Sequence, residues 1–380
     1  MRQFAFVWLA LGLSGDAKAL GLISFALGIP ILVFGIPAGV LADRMDRRVL
    51  LFTSQVASLA VTILAAVLVW ADAMTTGVTF ALALALGATV AFGQPVRSAI
   101  IPTLVSQERL LNAVTLNSVS QNLSQIAGPA LCGAVIAGFG VGGSFAVQAG
   151  LLTVGLAALV PLAVPKPAAR ADRNVLRELG EGLSYVAHHP GVRTLLVVLL
   201  VTALVMAGTF NTLIPKIAKD ELGTGAIGAS LLFGAMGVGM LMSSLLLASL
   251  PRLEPGGRYF ILTMIGGGLL NTVFGLSPWY GLSISIMFVT GWNAGFFTNL
   301  NMTLVQSNTP QALMGRVMSI YMLCMAGGMP LGALLAGTMA DLTSTRTWFA
   351  TCGVALVVVG VLVFVTQPSL RRMRSSPAPR

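Results

Sequence analysis

Long apolar runs dominate the chain, and short polar stretches separate them. Twelve runs predict helices near residues 1–13, 19–42, 49–70, 78–104, 112–139, 143–163, 192–214, 225–250, 259–276, 279–305, 313–339 and 346–366. A helix of about 20 apolar residues crosses a bilayer, so most of these runs are long enough to span a membrane. The runs are continuous and do not alternate as the strands of a membrane barrel do. The pattern predicts an all-α integral membrane protein.

Composition supports this prediction because charged side chains are scarce. Of the 380 residues, 56% are hydrophobic and 9% are charged, whereas soluble domains carry about 25% charged residues. This small number of charges cannot cover the surface of a soluble protein of this length. Lipid must therefore cover most of the surface of this one. No cluster of His, Asp and Glu and no nucleophile motif indicates an enzyme. No grouping of Cys or His indicates a metal or another cofactor.

The basic residues are distributed unevenly between the loops. The chain carries 22 Lys and Arg against 12 Asp and Glu, a net charge of +10. The basic residues recur in short clusters rather than in one patch, which argues against nucleic acid as a partner. If the loop after the second run is cytoplasmic, the outer loops contain only Lys18, Lys216, Lys219 and Arg346. The positive-inside rule then predicts a multi-pass protein of the cell membrane with a cytoplasmic C-terminus.

A polar stretch in the middle of the chain divides the runs into two sets of six. Apolar residues recur there at helical spacing, which predicts an amphipathic helix on the cytoplasmic surface. These residues are Val175, Leu176, Leu179, Leu183 and Val186. We therefore expect a first bundle over 1–164, a linker over 165–191, a second bundle over 192–366 and a tail over 367–380.

The two sets of runs share a short pattern. Residues 133–138 in the fifth run have the sequence GAVIAG, and residues 332–337 in the eleventh run have the sequence GALLAG. The eleventh run is the fifth of its own set, so the matches occupy equivalent positions. This placement indicates a parallel internal repeat, which recurs among transporters.

The first run is too short to cross a bilayer by itself. Residues 1–13 are followed by Gly15 and Asp16, which begin a polar connection. Two interpretations are open from the residues alone. The run is a signal peptide, with Arg2 ahead of an apolar core, or it is the outer half of a helix whose inner half precedes the given sequence.

The loop between the second and third runs carries the clearest motif. Residues 39–48 have the sequence GVLADRMDRR, which resembles the loop motif of the major facilitator superfamily. The resemblance implies a fold of two six-helix bundles that rock against each other. It also implies a conformational latch, in which glycine permits close helix approach and the acid caps a neighbouring helix. The latch residues are Gly39, Asp43, Arg44, Arg47 and Arg48.

Details of the motif indicate a branch of that superfamily. Asp46 stands where the general motif has glycine, and this form resembles the branch of enterobactin exporters and macrolide-efflux-like proteins. The resemblance covers nearly the whole chain, including 8–21, 94–97, 112–129 and 215–222. Relatives carry about 20 further residues before this point, with an aspartate in helix one, so the resemblance favours a first helix truncated at its N-terminus.

The fifth run carries a partial antiporter motif. Gly128, Pro129 and Gly133 match the pattern GPxxGG, while Cys132 replaces one glycine. The motif favours export over uptake. The same residues also permit a kink and close packing, which is a structural explanation of their presence.

Polar residues inside the apolar runs are candidates for a substrate pathway, because such residues are costly in a membrane. The candidates are Arg97, Ser118, Gln121, Asn122, Gln125, Asn211, Trp292, Asn293 and Asn299. The four residues of the fifth run lie three or four positions apart and therefore share a helix face. Hydrogen bonding between helices uses the same residue types and is the alternative explanation.

The leading hypothesis is proton-coupled export of a small organic molecule, a siderophore or an amphipathic drug, by a monomer in the lipid bilayer. Uptake by the same fold and a truncated product with impaired transport are the alternatives. All 12 acidic residues lie in loops or near the ends of runs. The missing half of the first helix is where the family's aspartate would lie, so proton coupling has no obvious carrier in this sequence.

Overall fold

The computed structural model describes residues 1–161, 175–249 and 254–374, and almost all of them are helical. Inside some helices only the backbone is described; these positions include Asp43, Arg44, Ser118 and Asn122. The described residues confirm the predicted all-α membrane fold.

Five helices form the first half. They are α1 (Arg2–Leu13), α2 (Ala17–Arg44), α3 (Arg47–Trp70), α4 (Thr76–Leu104) and α5 (Leu110–Leu159), with a 3₁₀ turn at Gln107–Arg109 before α5. The 50-residue α5 is interrupted at Gly140, where φ is 71° and ψ is −178°. Glycine reaches this conformation without steric cost. The break separates the fifth and sixth predicted spans.

The second half begins with the amphipathic helix. Its helices are α6 (Val175–His188), α7 (Pro190–Thr202), α8 (Gly208–Lys216), α9 (Gly225–Ser249), α10 (Gly256–Gly275), α11 (Tyr280–Ser307), α12 (Met314–Leu342), α13 (Thr345–Thr366) and α14 (Pro368–Arg371). A 3₁₀ turn, Gln311–Leu313, precedes α12. The π-helical segment Ala203–Ala207 joins α7 to α8, and a second one, Ile217–Glu221, follows α8. Together they form one span that continues to residue 221.

The number of spans agrees with the sequence pattern. Among the described residues, eight helical stretches are long and apolar enough to cross a membrane. One of these, Val119–Leu159, contains two spans because the backbone breaks at Gly140. Helices α10 and α11 have 20 and 28 residues and are long enough, although glycine and asparagine lower their hydropathy. Together with the 12-residue α1, they complete the twelve predicted segments.

Two bundles pack side by side. In the first half α2 packs on α4, and α3 packs on both α4 and α5; in the second half α9 packs on α11, and α10 packs on α11 and α13. The halves meet where α2 lies against α12 and where α5 lies against α9. Helix α1 lies within the core, and its Phe6 ring meets the Phe145 ring edge-on at a centroid distance of 5.0 Å.

The amphipathic helix α6 is attached to the second half. Glu181 forms an ion pair with Arg316 of α12 at 2.7 Å, and the Tyr185 hydroxyl donates a hydrogen bond of 2.8 Å to the Asn308 carbonyl oxygen. Burial raises the pKa of the Tyr185 phenol. These contacts hold α6 beside the start of α12.

The apolar face of α6 differs in part from the prediction. Leu179 and Val186 pack into the core of the second half, as expected for an apolar face. Leu183, assigned to the same face, is 56% exposed. The side chains of Val175 and Leu176 are outside the described part of the structure. Helix α6 therefore packs on α12 along a narrower stripe than its sequence indicates.

Candidate transport pathway

The first contact between the halves joins α2 to α12 through small residues. A Cβ atom added to Gly21 would lie 2.7 Å from the Ala333 carbonyl oxygen, and one added to Gly28 would lie 2.8 Å from Cβ of Pro330. Real Cβ atoms essentially never come this close, so both positions require glycine. Small residues allow helix backbones to approach closely in membranes, where packing replaces the hydrophobic effect between helices.

The second contact between the halves joins α5 to α9. A Cβ atom on Gly133 would lie 2.7 Å from the Ala226 carbonyl oxygen, so the backbones of these helices touch. Gly128 of the same motif faces α1 instead, where an added Cβ would lie 2.8 Å from the Met1 nitrogen. Pro129 lies inside α5 and is half-buried. The three motif residues therefore lie at two different contacts.

A cluster of hydrogen bonds joins the halves at one end of the molecule, which we call the outer end and define by Gly15, Ala17, Lys216 and Asp341. The Asp341 carboxylate accepts hydrogen bonds from the backbone N–H groups of Ala17 at 2.8 Å and Lys18 at 2.9 Å. These N–H groups open α2, where the helix dipole favours a negative charge. Asp341, on α12, thus acts across the two halves as a cap for α2.

Lys216 adds a second connection at the outer end. Its ammonium group donates a hydrogen bond to the Gly15 carbonyl oxygen and pairs with Asp220 at 2.9 Å. Gly15 belongs to the first half, and Lys216 to the second. We call the contacts of Asp341 and Lys216 the outer clasp. The sequence pattern does not predict it, because an acid just beyond an apolar run gives no sign of a partner 323 positions away.

The opposite end, which carries Gly39 and the start of α12, is the inner end, and the halves separate toward it. No described atom lies within 4 Å of a Cβ added at Gly35 or Gly39. Toward this end, the close contacts of α2 with glycines of α12 end at Leu32, whose Cδ1 would lie 3.3 Å from a Cβ added at Gly327. On α5, the close contacts with glycines of α9 end at Ile126, which lies beside Gly237. The described close contacts therefore join the halves from the outer end to the middle of the spans and become fewer toward the inner end.

One residue of the predicted latch, Arg48, contacts its own half in this conformation. Arg48 donates a hydrogen bond of 2.6 Å to the Val160 carbonyl oxygen. Asp46 caps α3 by accepting a hydrogen bond of 2.8 Å from the Arg48 backbone N–H, which gives its departure from glycine a local structural role. Arg47 is half-buried. The side chains of Asp43 and Arg44 lie outside the described ones.

Candidate pathway residues of the first half are exposed near the inner end. Gln121 and Gln125 are both exposed on α5, and Arg97 is exposed on α4. Among the described residues, no ion pair or hydrogen bond is found for the Arg97 side chain. The structure does not describe the side chains of Ser118 and Asn122, the other two members of the predicted face.

Candidate residues of the second half mostly serve contacts between or within helices. Asn299 donates hydrogen bonds to Ser244 Oγ of α9 at 3.0 Å and to the Gly295 carbonyl oxygen. Asn211 donates to the Ala207 carbonyl oxygen one turn earlier, at 2.9 Å. These bonds use amide donors that the prediction assigned to a substrate.

The other two candidates lie on α11. The Asn293 amide packs against α10, where an added Cβ at Gly266 would lie 3.0 Å from Nδ2. Trp292 is half-buried, and its ring lies 6.1 Å from the Phe296 ring. Of the candidates in the second half, Trp292 and Asn293 are therefore those without a described hydrogen bond.

Acidic residues within the described chain lie near the ends of the spans, in connections or on the amphipathic helix α6. No group of His, Cys, Asp and Glu in the described ranges could hold a metal ion. The Asp341 carboxylate at the outer end is thus the acidic group that links the two halves in the part of the chain that the structure describes.

Comparisons with known proteins agree with this architecture. A protein-family model described as "Transmembrane secretion effector" matches residues 1–378. The enterobactin exporter EntS of Escherichia coli O1:K1 is 26% identical over 277 residues, which are 73% of this chain and 66% of the exporter. EntS of Shigella boydii serotype 18 matches to the same extent. The chain therefore aligns with slightly less than two thirds of the length of these exporters.

Solved structures share the fold at low sequence identity. The nucleoside transporter NupG superposes with a TM-score of 0.74 at 15% identity, covering 96% of each chain. A bacterial homologue of the human lysosomal transporter Spinster, in an inward-facing and occupied conformation, gives a TM-score of 0.72 at 13% identity. It covers 100% of this chain and 96% of its own. These similarities establish the major facilitator fold over the whole length.

Proposed function

Because this chain belongs to the transmembrane secretion effector family of the major facilitator superfamily, we propose that it exports a small organic molecule by alternating access. It is a multi-pass membrane transporter with an exporter among its homologues, not an enzyme. The observation that carries the proposal is the outer clasp combined with the separated inner end. Alternating access requires such a state, in which a central pathway is closed on one side and open on the other.

Orientation follows from the charge of the loops. The inner end carries most of the arginines, so we place it in the cytoplasm together with the C-terminus, in the inner membrane of the cell. The conformation described here then faces inward and is ready to receive substrate from the cytoplasm. A single chain provides both halves of the pathway, which supports transport by a monomer.

The transport cycle follows from which contacts must change. Substrate enters at the inner end between the halves, where Arg97, Gln121 and Gln125 are exposed. The outer clasp then breaks, and the latch loop at residues 39–48 approaches the start of α12. Substrate leaves at the outer end. Export as the direction is supported by the exporter relatives and by the partial motif at Gly128, Pro129 and Gly133.

The proton gradient is the proposed driving force for export. Among the described acidic residues, Asp341 is the one whose carboxylate accepts hydrogen bonds from the other half. Its negative charge at the start of α2 stabilises the outer clasp. The outer clasp is therefore the polar contact that must break when the outer end opens.

Accumulation measurements test the export proposal. In cells that lack their own exporters, expression should lower the steady-state level of ethidium or of a catecholate siderophore at least severalfold. A protonophore should abolish the difference. Vector-only cells provide the baseline.

Two results would contradict parts of the proposal. Equal accumulation with and without the protein, over a panel of siderophores and amphipathic dyes, would reject export of these classes. Greater accumulation in expressing cells would instead indicate uptake. Export that persists after the protonophore would reject only the coupling to protons.

A further inference from the structure

A groove lies between α7 and α13 near the inner end, away from the contact between the halves. Its volume is about 300 Å³. Polar residues line one end of it: Arg193 and Thr194 from α7, and Thr366 and Gln367 from the end of α13. Valine and leucine side chains from both helices, such as Val197 and Leu362, line the remainder. The groove is thus polar at the membrane surface and apolar toward the bilayer centre.

The packing of α13 explains why the groove opens toward the inner end. Closer to the outer end, the Trp348 indole N–H donates a hydrogen bond of 3.1 Å to Thr209 Oγ1, which holds α13 against α8. Helix α13 also packs on the π-helical segment Ala203–Ala207. Toward the inner end, the groove lies between α7 and α13. The short helix α14 then packs against α7 and α10, with Leu370 fully buried.

Arg193 supplies a positive charge at the polar end of the groove. Its guanidinium is exposed, and its described hydrogen bond is to the Ala187 carbonyl oxygen at 3.4 Å. Within the described ranges no carboxylate forms an ion pair with it. A nearby arginine, Arg371, lies over the Phe364 ring at 5.0 Å. The groove therefore presents an unneutralised cation next to an apolar channel.

We infer that this groove binds one anionic phospholipid, with the headgroup phosphate on Arg193 and an acyl chain along Val197 and Leu362. The ligand must be amphipathic because the groove has one charged end and an apolar remainder. Basic residues at a membrane surface attract anionic lipid by about 1 kcal/mol each, which corresponds to roughly a fivefold preference. The inference rests on the chain lying in a bilayer and is independent of the transported substrate.

Native mass spectrometry of the full chain, purified in detergent, tests this site. Wild type should retain one dioleoyl phosphatidylglycerol at an activation energy that removes dioleoyl phosphatidylcholine. Arg193→Gln should reduce phosphatidylglycerol occupancy about fivefold, and Arg193→Lys should retain most of it. Arg109→Gln removes an exposed arginine of the first half, far from the groove in sequence, and should leave phosphatidylglycerol occupancy unchanged. Val197→Trp, which fills the groove, should reduce the occupancy of both lipids.

Three outcomes would overturn the inference. The first is that wild type retains the two lipids equally or retains neither. The second is equal occupancy in Arg193→Gln and Arg109→Gln, which would mean that retention depends on overall charge. Displacement of the lipid by soluble glycerol phosphate would indicate an anion site at Arg193 that takes no acyl chain. Failure of the export assay would leave all of these results unaffected.

Discussion

Glycine at residue 133 lets helices of different halves touch through their backbones. We expect Gly133→Ala to force α5 and α9 apart, because its Cβ would lie 2.7 Å from the Ala226 carbonyl oxygen. Overpacking of this kind costs about 1–3 kcal/mol. Thermal unfolding of the purified protein should therefore occur at a lower temperature, and transport should fall.

Gly138→Ala is the matched control for this substitution. Gly138 lies on the same helix, and no described atom lies within 4 Å of a Cβ added there. It should leave stability unchanged or raise it slightly, since alanine favours helix over glycine. If both variants unfold at the same temperature, the close contact at Gly133 does not limit packing.

Side-chain chemistry alone predicts only part of the candidate pathway. The sequence identified Asn299 as polar and intramembrane, but a partner on α9 decides its hydrogen bonding. Asp341 could not be recognised, since its partners are backbone groups far away along the chain. Gly133 was identified through its motif, and the structure shows which helix approaches it.

At the scale of elements, the position of α6 follows from two polar contacts with the second half. We expect Tyr185→Phe to lower the free energy of unfolding by about 0.5–1.5 kcal/mol, because it removes a hydrogen bond to the Asn308 carbonyl oxygen. Tyr259→Phe is the control, since Tyr259 is exposed and makes no described hydrogen bond. Denaturation of the two purified variants provides the measurement.

The same tyrosine predicts the direction of a pH effect. Burial raises the pKa of Tyr185, so the native state holds its proton more tightly than the unfolded state. Its contribution to stability is complete below the unfolded pKa of about 10 and declines as the pH rises above it. Wild type should therefore lose more stability than Tyr185→Phe between neutral pH and pH values above this point. Equal losses of stability in wild type and Tyr185→Phe would contradict the assignment of this pH effect to Tyr185.

Hydropathy predicts helix positions well here because the bilayer imposes both length and composition. The predicted run at 225–250 corresponds to α9, Gly225–Ser249. The run at 192–214 is shorter than the observed span, which continues through the π-helical segment Ile217–Glu221. Charged residues such as Lys219 and Asp220 end an apolar run, but they do not end a helix that continues into water.

The two repeated segments differ in which glycine lies at a contact between the halves. In 133–138 it is the first glycine, Gly133, which meets α9. In 332–337 it is the last glycine, Gly337, which meets α2, where an added Cβ would lie 2.5 Å from the Ala17 carbonyl oxygen. The equivalent of Gly133, Gly332, instead meets Leu204 of its own half. The sequence pattern therefore predicts where small residues recur, but the partner helices depend on how the bundles associate.

At the scale of the whole molecule, the outer clasp is expected to set the balance between inward and outward conformations. Asp341→Asn removes the negative charge at the start of α2, which stabilises the helix by about 0.3–1 kcal/mol. The outward-facing population should therefore rise about two- to fivefold. With the three native cysteines replaced by serine, Gln125→Cys near the inner end should then react more slowly with an impermeant maleimide in inside-out vesicles.

Asp72→Asn is the control for this experiment. Asp72 is an exposed acid in another connection at the outer end, and its positive φ of 52° suits asparagine. It should not change the labelling rate. An unchanged or faster rate in Asp341→Asn would show that the clasp does not hold the inward-facing state.

The modest strength of the outer clasp has a consequence for how transport is driven. Three hydrogen bonds join the halves in this clasp, two accepted by Asp341 and one donated by Lys216 to the Gly15 carbonyl oxygen. Random thermal motion is strong enough to break bonds of this kind many times during one cycle. In the proposed cycle, an ion gradient then need not force the outer end apart. It only has to make each spontaneous opening more frequent, or longer, in one direction than in the other.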